Sequence, residues 1–334
     1  MDEEAIETIR ESSRSILVLN RRKHRDEVAD DRRSMSNALR ITAETVAHIS
    51  NKLKTKSAIN LPELLMLKNA LMDDVSNIET VLQTHGALRG LVREVIGNDV
   101  NKQCAATGCC CNLALGDSRA CVAVIRAAGP YLITALHNFA TELAVTSAWT
   151  IGNLAGSGTK ACELLSGQGA ISELCKLLPN GNEEIREAAL YALVHFAYQL
   201  QDELSPEHIV SMFRMVPHMN VAVTSQLLFV LSCHAAFPAA LVSDGFVHKM
   251  LRYLNLTIDK SHPNDNVTYL FRTLANVNSP QVCDIVLSNF VQNNKINVIK
   301  KLLDNDNVKD SLLWFLGNAY RLCSKHEFFE KLLK

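Results

Sequence analysis

The sequence predicts an all-α fold, a right-handed superhelical solenoid of stacked helical repeats behind a basic arm. Three observations carry that expectation. Gly (14) and Pro (8) are scarce in 334 residues, which leaves few turns for the many short strands of a β protein. A short apolar frame returns at a spacing near 42 residues. Charge is unevenly placed: nine Arg or Lys against five Asp or Glu between Arg10 and Arg40 give +4, so the whole chain's −1 leaves −5 for the rest.

The arm comes first, residues 1 to 57. It opens Met-Asp-Glu-Glu with no early apolar run, so no secretory signal is expected. Its basic centre is Arg21, Arg22, Lys23 and Arg25, followed by Arg32, Arg33 and Arg40. On a helix, Arg21, Arg25 and Arg32 lie near one face at spacings of 4 and 7. Such a helix fits an acidic groove on a partner. It reads equally well as a solvated segment with internal pairs such as Arg22 with Asp26. No aromatic residue stands between positions 1 and 57, so a stacking platform for nucleic acid is lacking.

The solenoid follows, residues 58 to 334, with a divergent capping unit over Leu61 to Ile96. The repeat shows when Trp149 to Ala155 is aligned with Trp314 to Ala319. The same frame recurs in Gly108 to Ala114, Ala189 to Ala197, Leu228 to Ala235 and Leu270 to Val277. The aligned positions Asn112, Asn153, His195, Cys233, Asn276 and Asn318 are 41, 42, 38, 43 and 42 residues apart. A period of this size belongs to armadillo or HEAT repeats, each of two or three helices. Glycine-containing turns at Gly86, Gly129, Gly169 and Gly245 precede apolar helices at similar phase. One repeat cannot bury its own apolar face, so the stack reads as one elongated domain rather than two globular ones. The segment Glu327 to Lys334 reads as a capping helix or a cut.

Two stretches carry deceptive signals. Leu227 to Val242 is apolar but contains Ser232, His234 and Pro238 and falls short of the roughly 20 residues of a membrane span. It is expected to be a buried helix and its turn, with no membrane partner. Cys104, Cys109, Cys110 and Cys111 resemble a metal cluster, yet adjacent helical residues point about 100° apart and cannot share one ion. All ten cysteines are expected as reduced core thiols.

The ladder positions carry the functional expectation. Residues i and i+4 share a helix face, and stacking turns each face into a column along the repeats. An Asn amide can both donate to and accept from an extended peptide backbone. A Trp ring offers an apolar wall to the stem of a Lys or Arg and attracts its cationic head. Trp149 with Asn153, then Ala155, Gly156, Gly169, Ala170 and Ile171, and again Trp314 with Asn318, resembles the importin-α (karyopherin-α) armadillo repeat. The resemblance extends over residues 85 to 334 at repeat level. The basic run at Arg21 resembles the importin-β-binding segment in front of that stack, diluted by Asp30 and Asp31. A side branch of importin-α relatives around transmembrane and coiled-coil domain protein 6 is similar as well.

The resemblance implies a nuclear-import adaptor working between cytoplasm and nucleus. Importin-β would engage Arg21, Arg22, Lys23, Arg25, Arg32, Arg33 and Arg40. A basic cargo peptide would meet Asn112, Trp149, Asn153, Tyr191, His195, Arg272, Asn276, Trp314 and Asn318. The ladder departs from the family pattern: Gly108, Tyr191, Phe229 and Arg272 stand at Trp positions, His195 and Cys233 at Asn positions. A scaffold for protein assembly without transport is therefore the alternative, with Trp149 and Asn153 as a helix face and a backbone-capping Asn. His195, between Val194 and Phe196, reads as a groove or core histidine rather than a ligand or catalyst. No catalytic triad, phosphate loop, metal or cofactor motif stands out, so no enzyme activity, cofactor or small-molecule substrate is expected.

Overall fold

The computed structural model describes residues 41–200, 203–215, 222–237, 241–258, 265–323 and 326–333. Among these residues there are eighteen helices and no strand. The chain divides into two compact units, Met1–Leu200 and Gln201–Lys334, where the repeat period alone suggests one domain.

The first unit runs α1 Ala43–Thr55, α2 Leu61–Asp73, α3 Ser76–Gln83, α4 Ala87–Val95, α5 Val100–Leu113, α6 Ser118–Ala135, α7 Thr141–Ala155, α8 Thr159–Gly167, α9 Ala170–Leu177 and α10 Glu183–Leu200. The second runs α11 Pro206–Met215, α12 Ala222–Ser232, α13 Asp244–Ile258, α14 Asp265–Asn276, α15 Pro280–Gln292, α16 Ile296–Leu303, α17 Lys309–Leu322 and α18 His326–Leu333. Two shorter helices followed by a longer one recur as α3–α4–α5, α8–α9–α10 and α15–α16–α17. Three helices in about 42 residues make an armadillo-type repeat. The third helices pack on one another in order: α2, α5, α7 and α10 in the first unit, α12, α14 and α17 in the second.

Local chemistry sets the helix ends. Asn60 and Glu63 form a reciprocal capping box at α2. Asp99 and Asp117 cap α5 and α6. Ser279 caps α15, with Pro280 in its first turn. Gly86 and Gly169 take φ of 94° and 89°, the left-handed conformation their turns require. Gly129 does not turn the chain: α6 continues through Gly129 and Pro130. The missing side chain serves close approach instead, since a Cβ there would lie 2.2 Å from Gln168 Oε1. Gly245 likewise sits inside the first turn of α13, behind Ser243, whose hydroxyl accepts from the Phe246 amide.

The core is aliphatic in the first repeats, with Ile49, Leu53, Leu64, Leu67 and Leu71 fully buried. In the second unit, Phe229, Phe271, Phe290 and Phe315 are fully buried. Burying each such side chain contributes about 1.5–3 kcal/mol. The helix α1 belongs to this core, although composition groups it with the arm. Val46, Ile49 and Leu53 are buried, and Arg93 Nη2 donates to the Leu53 carbonyl at 2.9 Å. Gly90 lets α4 lie against that carbonyl, where a Cβ would come within 2.3 Å. The arm thus ends before Ala43 rather than at residue 57. Its predicted contacts Arg21, Arg22, Lys23, Arg25, Arg32, Arg33 and Arg40 lie outside the described residues.

All ten cysteines are thiols, and seven are buried. Burial pushes the Cys110 thiol up to about 12. Among the described residues no group of three or more His, Cys, Asp or Glu is placed to hold a metal ion. No helix among them is long and apolar enough to cross a membrane.

Candidate peptide-binding face

Within each unit the ladder positions stand on successive third helices. In the first unit, Trp149 on α7 and Tyr191 on α10 are both half-buried, with ring centroids 4.3 Å apart at a tilt of 46°. They form one aromatic wall across two repeats. Gly152 makes this possible, because the Tyr191 ring lies where its side chain would be, 2.6 Å from an added Cβ. The Tyr191 hydroxyl donates to Asn153 Oδ1 at 2.9 Å. Asn153 Nδ2 donates in turn to Cys111 Sγ on α5, at 3.2 Å.

The other asparagines behave alike. Asn112 Nδ2 donates to the Lys68 carbonyl at 2.6 Å. Asn276 Nδ2 reaches Ser232 Oγ at 2.9 Å and Cys233 Sγ at 3.2 Å. Asn318 Nδ2 reaches the Ala275 carbonyl at 3.1 Å, and its Oδ1 accepts from Arg321. Each amide therefore stitches its helix to the equivalent helix one repeat earlier. Each Nδ2 carries two hydrogens, so Asn112 and Asn153, half-buried and with one such bond apiece, keep a second N–H for a ligand. Asn318 is only 7% exposed and is a structural residue.

One more predicted contact changes role, and one departure from the ladder is filled from within the chain. His195 is 3% exposed, packed edge-on beneath Tyr191 at 4.8 Å, so it is a core histidine and not a groove residue. The cause is α10 itself, whose residues from Ala192 to Tyr198 are all buried. Gly108 leaves the aromatic position on α5 open, and the aliphatic stem of Lys68 fills it.

Residues absent from the sequence-based set complete the first unit's face. Glu142 stands seven residues before Trp149, and Glu187 four before Tyr191, so each shares a face with its aromatic. Neither carboxylate has an ion pair among the described residues. The i−4 and i−7 register was the signal that could have found them.

The second unit's ladder differs. Phe229 is buried, not groove-lining, and stacks on Tyr269 at 5.9 Å. The half-buried Arg272 places its guanidinium 5.5 Å from the Phe229 ring centroid, and its Nε donates to Ser311 Oγ at 2.9 Å. Trp314 on α17 is half-buried, and the same helix exposes Leu313 and Tyr320.

No family model and no curated protein matches the chain. Solved structures do. An engineered protein known from a crystal structure superposes with a TM-score of 0.64 at 18% identity, over 82% of this chain and 68% of its own. That likeness carries the fold alone. A designed armadillo repeat protein matches with a TM-score of 0.48 at 17% identity, over 82% of this chain and 99% of its own. Another, in complex with the peptide (KR)4, has a TM-score of 0.48 at 18% identity, over 82% and 99%.

Proposed function

We propose that this chain is a protein-binding adaptor whose first unit holds an extended peptide bearing Lys or Arg on the α5–α7–α10 ladder. The Trp149–Tyr191 wall supports the reading most directly. It is partly open to solvent, and it shares helix faces with the carboxylates of Glu142 and Glu187. An aliphatic stem would lie on the rings, the cationic head would meet a carboxylate, and the spare N–H groups of Asn112 and Asn153 would meet the peptide backbone. No bond-making chemistry is assigned to the chain.

The resemblance to importin-α adds a finer proposal: nuclear import between cytoplasm and nucleus, with the basic arm engaging importin-β. A scaffold without transport is the second reading, favoured by the interrupted ladder, in which Gly108 is covered by Lys68 and His195 is core.

Fluorescence anisotropy with a labelled Lys/Arg-rich nonapeptide tests the face. Trp149→Ala should weaken binding by about tenfold, within the roughly 0.5–2 kcal/mol of a cation–π contact plus the lost wall. Unchanged affinity would remove the face from consideration. Importin-β binding separates the two finer readings and should be measured with residues 1–40 removed. Removing 1–57 would also cut out α1 and confuse loss of the arm with loss of the core.

A further inference from the structure

The second unit carries a cation where the first carries an aromatic wall. Arg272 lies 43 residues after Phe229 and 42 before Trp314, at the aromatic position of its repeat. Its surroundings are those of a charge without a counter-charge. Phe229 covers it on one side, and Nε is taken by the buried Ser311. Nη1 is buried and has no hydrogen-bond partner. No carboxylate lies within ion-pair distance of it among the described residues. Asp310, exposed on α17, acts on it only through space. Burial pushes the guanidinium below its ordinary value, while Tyr269, Cys233 and Asp310 act the other way through space.

We propose that Arg272 is a binding site for an oxyanion on a partner peptide, a side-chain carboxylate or a phosphorylated residue, held on the α12–α14–α17 face. The guanidinium fork is the side-chain group best matched to a planar or tetrahedral oxyanion. Phe229 fixes its plane and Ser311 fixes one edge, so little side-chain freedom remains to be lost when the anion arrives. A purely structural charge would be expected to have a carboxylate partner, since an unpaired buried cation destabilises the fold. The inference rests on the reading of the ladder as a peptide-binding face, and it adds a site of the opposite charge preference.

The test uses the full chain and degenerate hexapeptides with one fixed central residue: Glu, phosphoserine, Gln or Lys. Retention of the Glu or phosphoserine pool at least tenfold above Gln, lost in Arg272→Met, is the expected result. Preference between those two pools identifies carboxylate or phosphate as the natural group. Arg272→Met should leave the thermal midpoint unchanged or raised, because it removes an uncompensated charge and keeps the stem's packing. Equal retention of Glu, phosphoserine and Gln pools, or enrichment that persists in Arg272→Met, overturns the proposal. The Lys pool is the control for the first unit: its retention should respond to Trp149→Ala and not to Arg272→Met. Failure of that pool with success of the anionic pools would refute the first unit's reading alone.

Discussion

Gly152→Ala would put a methyl group where the Tyr191 ring already lies. The added Cβ would be 2.6 and 2.7 Å from two ring carbons and 3.1 Å from the Ala192 Cα. The ring cannot swing away freely, because it stacks on Trp149 at 4.3 Å and its hydroxyl is bonded to Asn153. The Ala192 contact is backbone and can move only if α10 moves. Overpacking of this kind costs about 1–3 kcal/mol. Replacing a mid-helix Gly by Ala returns about 0.5–1 kcal/mol. The expected net loss is about 1–2 kcal/mol. Gly317 holds the same register, one residue before Asn318, yet nothing lies within 4 Å of its added Cβ. Gly317→Ala should therefore stabilise by about 0.5–1 kcal/mol, the helix propensity alone. The chain has only two tryptophans, one in each unit. Urea unfolding followed by fluorescence in a Trp314→Phe background reports the first unit, and Trp149→Phe reports the second. If Gly152→Ala unfolds at the same urea concentration as its parent, the packing account of the aromatic wall is wrong. A destabilised Gly317→Ala would show that the α17 face is covered.

Two further expectations separate building from binding. Asn318→Ala should cost about 0.5–1.5 kcal/mol, since it removes the bond that ties α17 to the Ala275 carbonyl while that carbonyl keeps its donor from Asn278, and it should leave basic-peptide affinity in the first unit unchanged; urea midpoints and anisotropy check both halves. Acid should weaken the first unit in a defined window. Glu63 is held below its ordinary 4.5 chiefly by the hydrogen bond from Lys52, and Glu173 chiefly by that from Lys176, with His137 second. Carboxylates whose folded values are depressed contribute stability that is complete above 4.5 and is lost as pH falls below it toward those depressed values. Thermal midpoints between pH 7 and 3 should fall only in that acid range, and Lys52→Met should flatten the fall. A loss of stability already present at pH 6 would implicate other groups.

The repeat was legible because it lives in backbone packing. The hydrogen bonds from Asn112, Asn153, Asn276 and Asn318 span 42 to 44 residues, the same interval as the apolar frame. What failed to read was direction around the helix. The α10 stretch is apolar on all sides, so no stripe tells a groove position from a core one, and His195 is placed only by the packing around it. Gly129 misled for a different reason. Glycine marks turns and close approaches alike, and only the Gln168 side chain lying on it decides which. The end of the arm was in principle readable. Val46, Ile49 and Leu53 recur at spacings of 3 and 4, an amphipathic stripe masked by Lys52, Lys54 and Lys56.

The two ladder positions of each repeat divide the work. The asparagine position holds the stack together by reaching back to the preceding third helix, and where Asn is replaced by Cys233 the sulfur still accepts from Asn276. The aromatic position is bonded differently from repeat to repeat, Tyr191 reaching back to Asn153 and Arg272 forward to Ser311, and its occupants vary widely: Gly108, Trp149, Tyr191, Phe229, Arg272 and Trp314. Variation there changes what the face presents without unstitching the repeats. Lys68 closes one position, the Trp149–Tyr191 wall opens two, and the guanidinium of Arg272 reverses the sign of a fifth. A chain built this way can keep an armadillo-type core while departing from a uniform basic-peptide groove. If the proposed function holds, specificity is to be sought repeat by repeat, in the charge and ring at each aromatic position.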